Sequence, residues 1–503
     1  MRPESVFRED RAGKWTLAPF ACLVAGAATV LGFSPFDFFP VLLAAFAVLA
    51  HFWIGARTAR AAFGLGFWFG LGMFAAGVSW VYVSLHRFGA MPAPLAAVAT
   101  LGFCALLALF PACAGALQAL PRAPAWARAA LTIPATWTLL EWLRSWILTG
   151  FPWLSAGYAA IDWPLAGYAP IAGVHAVSFA TLASAGLLWC IARGRGRGGA
   201  LAALVAVVLA GAALRGIEWS APLARELRVS LLQGNVAQDL KFDPARYART
   251  LDTYARLAEE SRARLIVLPE TAIPSFLDRV DPEYLQRLET VARRNGGDLL
   301  LGVPLRSGAD RYYNSVISVG VSPRQAYHKV HLVPFGEFVP PGFGWITRIL
   351  SIPLSDFSRG GLAQQPLAVA GERIAVNICY EDAFGAEIAR QLPAATILVN
   401  VSNVAWFGDS LAPAQHLQIA RMRALETARV LLAATNSGIT AAIGRDARVL
   451  AQLPQFVEGR LDVAVRGHTG ATVFVRYGDW LALGLCVLAL AASLVLARRG
   501  PRG

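Results

Sequence analysis

Ala375-Val376-Asn377-Ile378-Cys379-Tyr380-Glu381-Asp382 reads as an apolar strand that ends in a thiol, an aromatic ring and two acids. Catalytic groups are often held where a rigid strand hands over to a loop. Cys22, Cys104, Cys113, Cys190 and Cys486 all lie in long apolar runs, so Cys379 has no cysteine nearby to pair with and no CxxC geometry. By itself a lone cysteine is as readily a small buried hydrophobe, and its neighbours decide between the two readings.

Outward from that stretch, about 217–479 alternates short strands with amphipathic helices and then runs into β-hairpins, the pattern of a layered α/β domain. Strands are expected at Leu227–Val236, Asp298–Pro304, Gln325–Val333 and Thr396–Val401, and helices at Pro244–Arg264, Pro282–Arg294 and Pro413–Arg429. No GxGxxG or GxxxxGK[ST] supports nucleotide binding. No His/Cys/Asp group has metal-ligand spacing, and His416 and His468 read as surface or structural residues. No metal or cofactor is expected.

The rest of the chain has a different texture. The protein has 503 residues, 56% hydrophobic and only 15% charged, with a net charge of +13. That is too apolar for an ordinary soluble protein. The positive charge is scattered between apolar runs and forms no basic stripe, which argues against nucleic acid. A spanning helix needs about 20 apolar residues. Eight stretches qualify: 16–35, 38–56, 61–85, 90–119, 129–149, 165–192, 198–214 and 480–497. The fifth carries Glu141 and Arg144, expected to pair or to sit at the interface. The loop after it, Gly150–Tyr158, reads as an interfacial aromatic belt. Arg and Lys cluster in alternate loops, which puts both termini in the cytoplasm and the 217–479 block outside. The expected organisation is a membrane domain of seven helices over 1–216, a catalytic domain over 217–479, and an eighth helix with a basic tail over 480–503.

Within the soluble block two further charges end apolar runs: Glu270 after Leu265-Ile266-Val267-Leu268-Pro269, and Lys329 in His328-Lys329-Val330-His331. Parallel strands of one sheet would bring Glu270, Lys329 and Cys379 to one edge. Lys329 is expected at an exposed loop edge. The chemistry suits the three types: a carboxylate can take the thiol proton, and an ammonium can face both the thiolate and a tetrahedral oxyanion. Lysine is rare here. Of 45 basic residues only Lys14, Lys241 and Lys329 are lysines.

Leu268-Pro269-Glu270, His328 to Glu337 and Asn377 to Glu381 together resemble the three signatures of the nitrilase (carbon–nitrogen hydrolase) superfamily. The resemblance implies an αββα sandwich with a Glu270–Lys329–Cys379 triad. With eight spans attached, roughly 16–495 resembles the apolipoprotein N-acyltransferase family of bacterial inner-membrane enzymes. That family implies a ping-pong transfer: an acyl chain passes from a membrane phospholipid to Cys379 as a thioester, then to the α-amino group of a diacylated apolipoprotein. Glu337 and Glu381 would position Lys329 or the acceptor amine, and Tyr380 would shape the pocket. Gly336, Phe242, Trp406 and Trp345 are further supporting or substrate-binding positions. Phe242 stands where family members commonly carry Trp. The apolar, Pro/Gly-rich segment 338–353 would be a membrane-facing lid. Two rival readings remain: a membrane-tethered nitrilase-type amidase acting on a small amide or nitrile, and a non-catalytic membrane scaffold.

Overall fold

Membrane-type helices are long where apolar residues run unbroken, and they stop where Pro, Gly or charge interrupts. In the computed structural model, residues 17–194, 196–241, 243–308, 311–339 and 356–499 are described. The chain divides into two units: 1–79, 94–217 and 479–503 in one, and 80–93 with 218–478 in the other.

The first unit is helical: α1 Ala18–Ala28, α2 Phe39–Gly55, α3 Ala59–Gly77, α4 Ala93–Ala119, α5 Ile133–Arg144, α6 Ala169–Arg193 and α7 Arg197–Arg215, with a last helix at Trp480–Arg498. Among the described residues, five helices are long and apolar enough to cross a membrane: Ala59–Gly77, Ala93–Ala119, Pro164–Arg193, Arg197–Arg215 and Trp480–Arg498. Ala18–Gly32 and Phe39–Gly55 are shorter apolar helices. The stretch 129–149 is not one straight span. Its α-helix has 12 residues and ends at Arg144.

Buried charge explains that stop. Glu141 and Arg144 are both buried, and each turns to the loop that follows. Glu141 Oε1 accepts from the Trp137 indole and the Ala156 N–H, both at 2.8 Å. Arg144 donates to the carbonyls of Phe151 and Trp153. The loop is therefore packed inside its unit, with Trp153, Leu154, Ser155 and Tyr158 buried, and is not an interfacial belt. Backbone carbonyls bind Arg144, and the Trp137 indole and the Ala156 N–H bind Glu141 Oε1, which reduces the need to snorkel.

The second unit is a sandwich of two six-stranded sheets. The first runs in the order β12-β1-β2-β3-β4-β5 and the second β11-β10-β9-β8-β7-β6. The first sheet holds β1 Ser220–Gln233, β2 Leu265–Val267, β3 Asp298–Ser307, β4 Arg311–Gly320, β5 Ala326–His328 and, from the chain's end, β12 Gly459–Gly470. The second holds β6 Leu367–Val369, β7 Glu372–Ile378, β8 Ile397–Ser402, β9 Leu431–Thr435, β10 Ala441–Ile443 and β11 Val449–Gln452. Strands β1, β2 and β3 are parallel, as are β7, β8 and β9. Apolar residues on alternate positions face each other between the sheets: Val229, Leu231 and Val267 from one, Val376, Ile378 and Val399 from the other.

Helices cover the outer faces. Pro244–Glu259 (α8) starts on an Asp243 cap with Pro at its first position, and Pro282–Arg294 (α9) repeats the device with Asp281. Both lay apolar stripes, including Tyr254, Ala258, Leu288 and Val291, on the first sheet. Ala412–Thr427 (α10) covers the second through Ala420 and Ala424. This is the αββα arrangement expected; the last helix, Trp480–Arg498 (α11), belongs to the first unit. The segment Trp80–Ala93 belongs to this unit, although the third apolar run was expected to continue to residue 85. Its Trp80 indole donates to Gln415 at 3.2 Å and its Ser84 hydroxyl to the Trp406 carbonyl at 2.8 Å.

Candidate active site

Glu270 and Lys329 come from one sheet and Cys379 from the other, so convergence does not arise from a single parallel sheet. Two steps produce it. Strand β4 reverses on β3 and β5 reverses on β4, so β5 runs in the direction of β2 and both end on the same edge. The second sheet then stacks its β7 end against that edge across the shared core. The expected strand at Gln325–Val333 is only Ala326–His328, and Lys329 lies just beyond it.

Each residue is fixed by its local backbone. Glu270 follows Pro269, in a turn that β3 passes closely. A Cβ on Gly302 would lie 2.3 Å from the Pro269 carbonyl oxygen, so only glycine allows the approach. Lys329 is pinned on both sides: its N–H donates to the Asn314 carbonyl and its carbonyl accepts from Gly360 N–H, each at 2.8 Å. Cys379 has φ +54°, a left-handed conformation that costs a non-glycine residue and presents the thiol at the head of a tight turn. Its carbonyl accepts from Asn400 Nδ2 at 3.1 Å.

Lys329 is not at an exposed edge; it is 1% exposed. Its Nζ lies 3.3 Å from Glu270 Oε1 and 2.8 Å from Glu337 Oε2. A buried ammonium requires such anions; Glu270 comes from beyond the end of β2 and Glu337 from the turn that follows Lys329. Asn314 Nδ2 bridges the two carboxylates, 2.7 Å from an oxygen of each. Glu270 Oε2 accepts the Asn403 N–H at 2.8 Å. Glu337 Oε2 accepts the Val333 N–H at 2.8 Å, closing the turn that contains Gly336.

Glu381 has a different place. Its carboxylate accepts from the N–H groups of Ile378, Val330 and His331 and from the Tyr327 hydroxyl. It stitches the turn after β7 to the stretch that carries Lys329. Tyr380 packs edge-on against Phe384 at 5.1 Å. Trp406 meets Phe88 at 6.1 Å, edge to face. Phe242 and Trp345 lie outside the described residues, as does most of the segment 338–353. His416 and His468 are buried, not at the surface. His416 Nε2 is 3.1 Å from Asp382 Oδ1 and 3.4 Å from the Cys379 carbonyl.

Asn314, Gln238, Asn403 and Lys241 were given no place in the site by sequence reasoning. Gln238 Oε1 accepts from Asn403 Nδ2 at 2.7 Å, and Lys241 Nζ donates to the Glu270 carbonyl at 3.1 Å. The available signals were an amide in the apolar run of β4 and the scarcity of lysine.

The electrostatics define a resting state. Burial pushes the Cys379 thiol well above its ordinary range, with Glu270 adding to the effect and Lys329 opposing it. Burial also works against ionised Glu270, but Lys329, Asn314, Lys241 and the Asn403 N–H together hold its carboxyl below the usual range. Burial opposes the Lys329 ammonium, and Glu270 and Glu337 overcome it, so its proton is held more tightly than usual. The site therefore rests as thiol, carboxylate and ammonium. In that state a proton leaving the thiol would have the Glu270 carboxylate to go to, and negative charge developing beside it would face Lys329.

Comparison with known proteins follows the same division of the chain. The apolipoprotein N-acyltransferase N-terminal domain matches residues 25–187 and the carbon-nitrogen hydrolase family matches 228–472. The chain is 49% identical to the apolipoprotein N-acyltransferase of Nitrosomonas europaea, covering 96% of this chain and 98% of that one. It is 45% identical to that of Bordetella bronchiseptica, covering 96% and 97%. Among solved structures, a carbon-nitrogen hydrolase from Helicobacter pylori aligns at 17% identity and TM-score 0.38, over 55% of this chain and 96% of that one.

Proposed function

Because the chain belongs to the apolipoprotein N-acyltransferase family, a multi-pass membrane protein acting in lipoprotein N-acylation, we propose that it works by ping-pong transfer through a Cys379 thioester. Sulfur attacks the ester carbonyl of a membrane phospholipid. The S–C bond forms, the thiol proton goes to Glu270, and the ester C–O bond breaks as Glu270 returns the proton to the leaving lysophospholipid alcohol. The α-amino group of a diacylated apolipoprotein then attacks the thioester. The N–C bond forms, the S–C bond breaks, and Glu270 carries the amine proton back to sulfur. Lys329 faces the oxyanion in both halves, Glu337 and Asn314 hold Lys329 and Glu270 in register, and Glu381 fixes the turn that carries Cys379. Gly336, Tyr380 and Trp406, with Phe242 and Trp345, are proposed to shape the lipid and acceptor pocket.

The observation that carries this reading is the buried Lys329 held between Glu270 and Glu337 at the strand end that faces Cys379. Intact-protein mass spectrometry after purification from membranes tests it. The expected result is an acyl adduct on Cys379 that disappears when a diacylated lipopeptide is added. Acyl transfer with the adduct on any other residue would remove the triad.

The proposed topology has eight spans in a bacterial inner membrane, both termini cytoplasmic and the catalytic unit periplasmic; the alternating Arg clusters support it. A reporter that functions only outside the cytoplasm is expected to be active when fused after Gly320 and inactive when fused after Arg499. Activity at both points, or the reverse pattern, rejects the eight-span arrangement.

A further inference from the structure

Two of this chain's three lysines meet at one carboxylic acid. Lys329 reaches the Glu270 side chain and Lys241 reaches its main-chain carbonyl; the third, Lys14, lies outside the described residues. Where nearly every other basic position is arginine, lysine marks sites that need a compact charge able to sit on a single oxygen. Lys241 is such a site. It is 3% exposed, and among the described residues the Glu270 carbonyl is the only hydrogen-bond acceptor of its Nζ. A buried ammonium with one neutral acceptor depends on nearby anions, and the anionic forms it faces are those of Glu270 and Cys379.

The segment around it is built onto Glu270 from two directions. Gln238 holds Asn403, whose N–H binds Glu270 Oε2, and Lys241 holds the Glu270 main chain. We propose that Lys241 is a positioning residue for the proton transfer between Cys379 and Glu270. Its ammonium fixes the Glu270 backbone and supplies a positive charge to whichever of the two carries the negative one. This rests on the triad reading above. As the S–H bond breaks and Glu270 takes the proton, the negative charge moves from carboxylate to sulfur and on to the acyl oxygen. Lys241 is beside the anion while the charge lies on the carboxylate or on sulfur, and Lys329 faces it once it has reached the acyl oxygen.

Burial lowers the pKa of Lys241 to about 8, against the pull of Glu270 and Cys379, so this support is lost in the alkaline range. The other charged groups near the pair are Lys329 and Glu337, beyond β5, and Asp382 with His416 behind Cys379. Asp382, against the effect of burial, raises the pKa of His416, so a variant must separate His416 from Lys241.

The test measures single-turnover acyl-enzyme formation on Cys379 in the full-length protein. Mixed phosphatidylethanolamine–phosphatidylglycerol micelles serve as donor, from about pH 6 to 10, a range that brackets lysines of ordinary and lowered pKa. The wild-type rate is expected to fall above about pH 8. Lys241→Met should be slower by about 10²-fold at neutral pH, the scale of losing one aligned electrostatic donor, and should lack that limb. Lys241→Arg keeps the charge without the compact fit, so it should recover only part of the lost rate, about tenfold of the expected 10², and lose the limb near pH 8. A purely structural pin would lower the melting temperature of Lys241→Met and leave the limb in place, and a limb carried by His416 would persist in Lys241→Arg. A Lys241→Met rate within about threefold of wild type, against the expected 10², or a limb unmoved by both substitutions, overturns the proposal. If Lys241→Met does not fold, the wild-type and arginine profiles still decide it. An acyl group found away from Cys379 would instead overturn the triad reading.

Discussion

Cys379→Ala is expected to leave no acyl adduct on the protein and to reduce transfer to a diacylated lipopeptide to background. Removing the nucleophile of an integrated catalytic group costs on the order of 10⁶ in rate. The other five cysteines are no substitute. Four are buried and Cys113 is half-buried, and all lie in apolar helices. The fold should survive, because the substitution deletes one half-buried sulfur atom and alanine meets the same φ of +54° that cysteine already tolerates. Helix content and melting temperature measured beside the lipopeptide assay separate loss of chemistry from loss of protein. A folded Cys379→Ala protein that still acylates the lipopeptide would refute the nucleophile assignment.

The second large effect is at Lys329, where rate and stability should part company. Lys329→Met leaves Glu270 and Glu337 buried without their shared cation, and breaking a buried ion pair from one side typically costs about 3–5 kcal/mol. Glu270 is held below the ordinary carboxyl range in the wild-type protein, so its contribution to stability is present above its unfolded pKa and fades as the pH falls through the folded one. Losing Lys329 removes that contribution, so the stability deficit of Lys329→Met should shrink on acidification. Lys329→Arg keeps the charge and most of the stability. Its planar fork cannot take the place of a single ammonium between Glu270 Oε1 and Glu337 Oε2 and still face an acyl oxyanion. Acyl-enzyme formation by Lys329→Arg should therefore fall by about 10²–10³, nearly as far as in Lys329→Met. An arginine variant with normal thioester formation would leave Lys329 a structural ion.

Much of this site was legible because charges at the ends of apolar strands are costly to place without a purpose. Glu270 and Lys329 stood out for that reason, and Cys379 as the one thiol between about 217 and 479, at the end of a similar run. The sheet that each strand joins was not legible. A short apolar run such as Leu265–Val267 or Ile374–Ile378 reads alike in one sheet or in either of two, because hydrogen-bond partners leave no local periodicity. Burial of Lys329 was hidden for a related reason: the groups that enclose it, Asn314, Glu337 and Glu270, are separated from it by 8 to 59 positions in sequence. The helices were legible where apolar residues ran unbroken, and least so at 129–149, where Glu141 and Arg144 bind a loop that had yet to be placed.

That last arrangement bears on how the protein is made. A nascent chain presenting α5 before residue 151 has emerged offers the insertion machinery an arginine and a glutamate whose final partners do not yet exist. Both charges sit in the last turn of α5, and a charge that enters a bilayer without partners is costly. Synthesis of Phe151 to Ala156 supplies the carbonyls and the N–H that Arg144 and Glu141 bind. Integration of this segment is therefore expected to be completed only after the following loop has been translated. Lesions in Gly150–Tyr158 should accordingly surface in the cell as poor yield and rapid degradation, even where the few molecules that mature turn over normally.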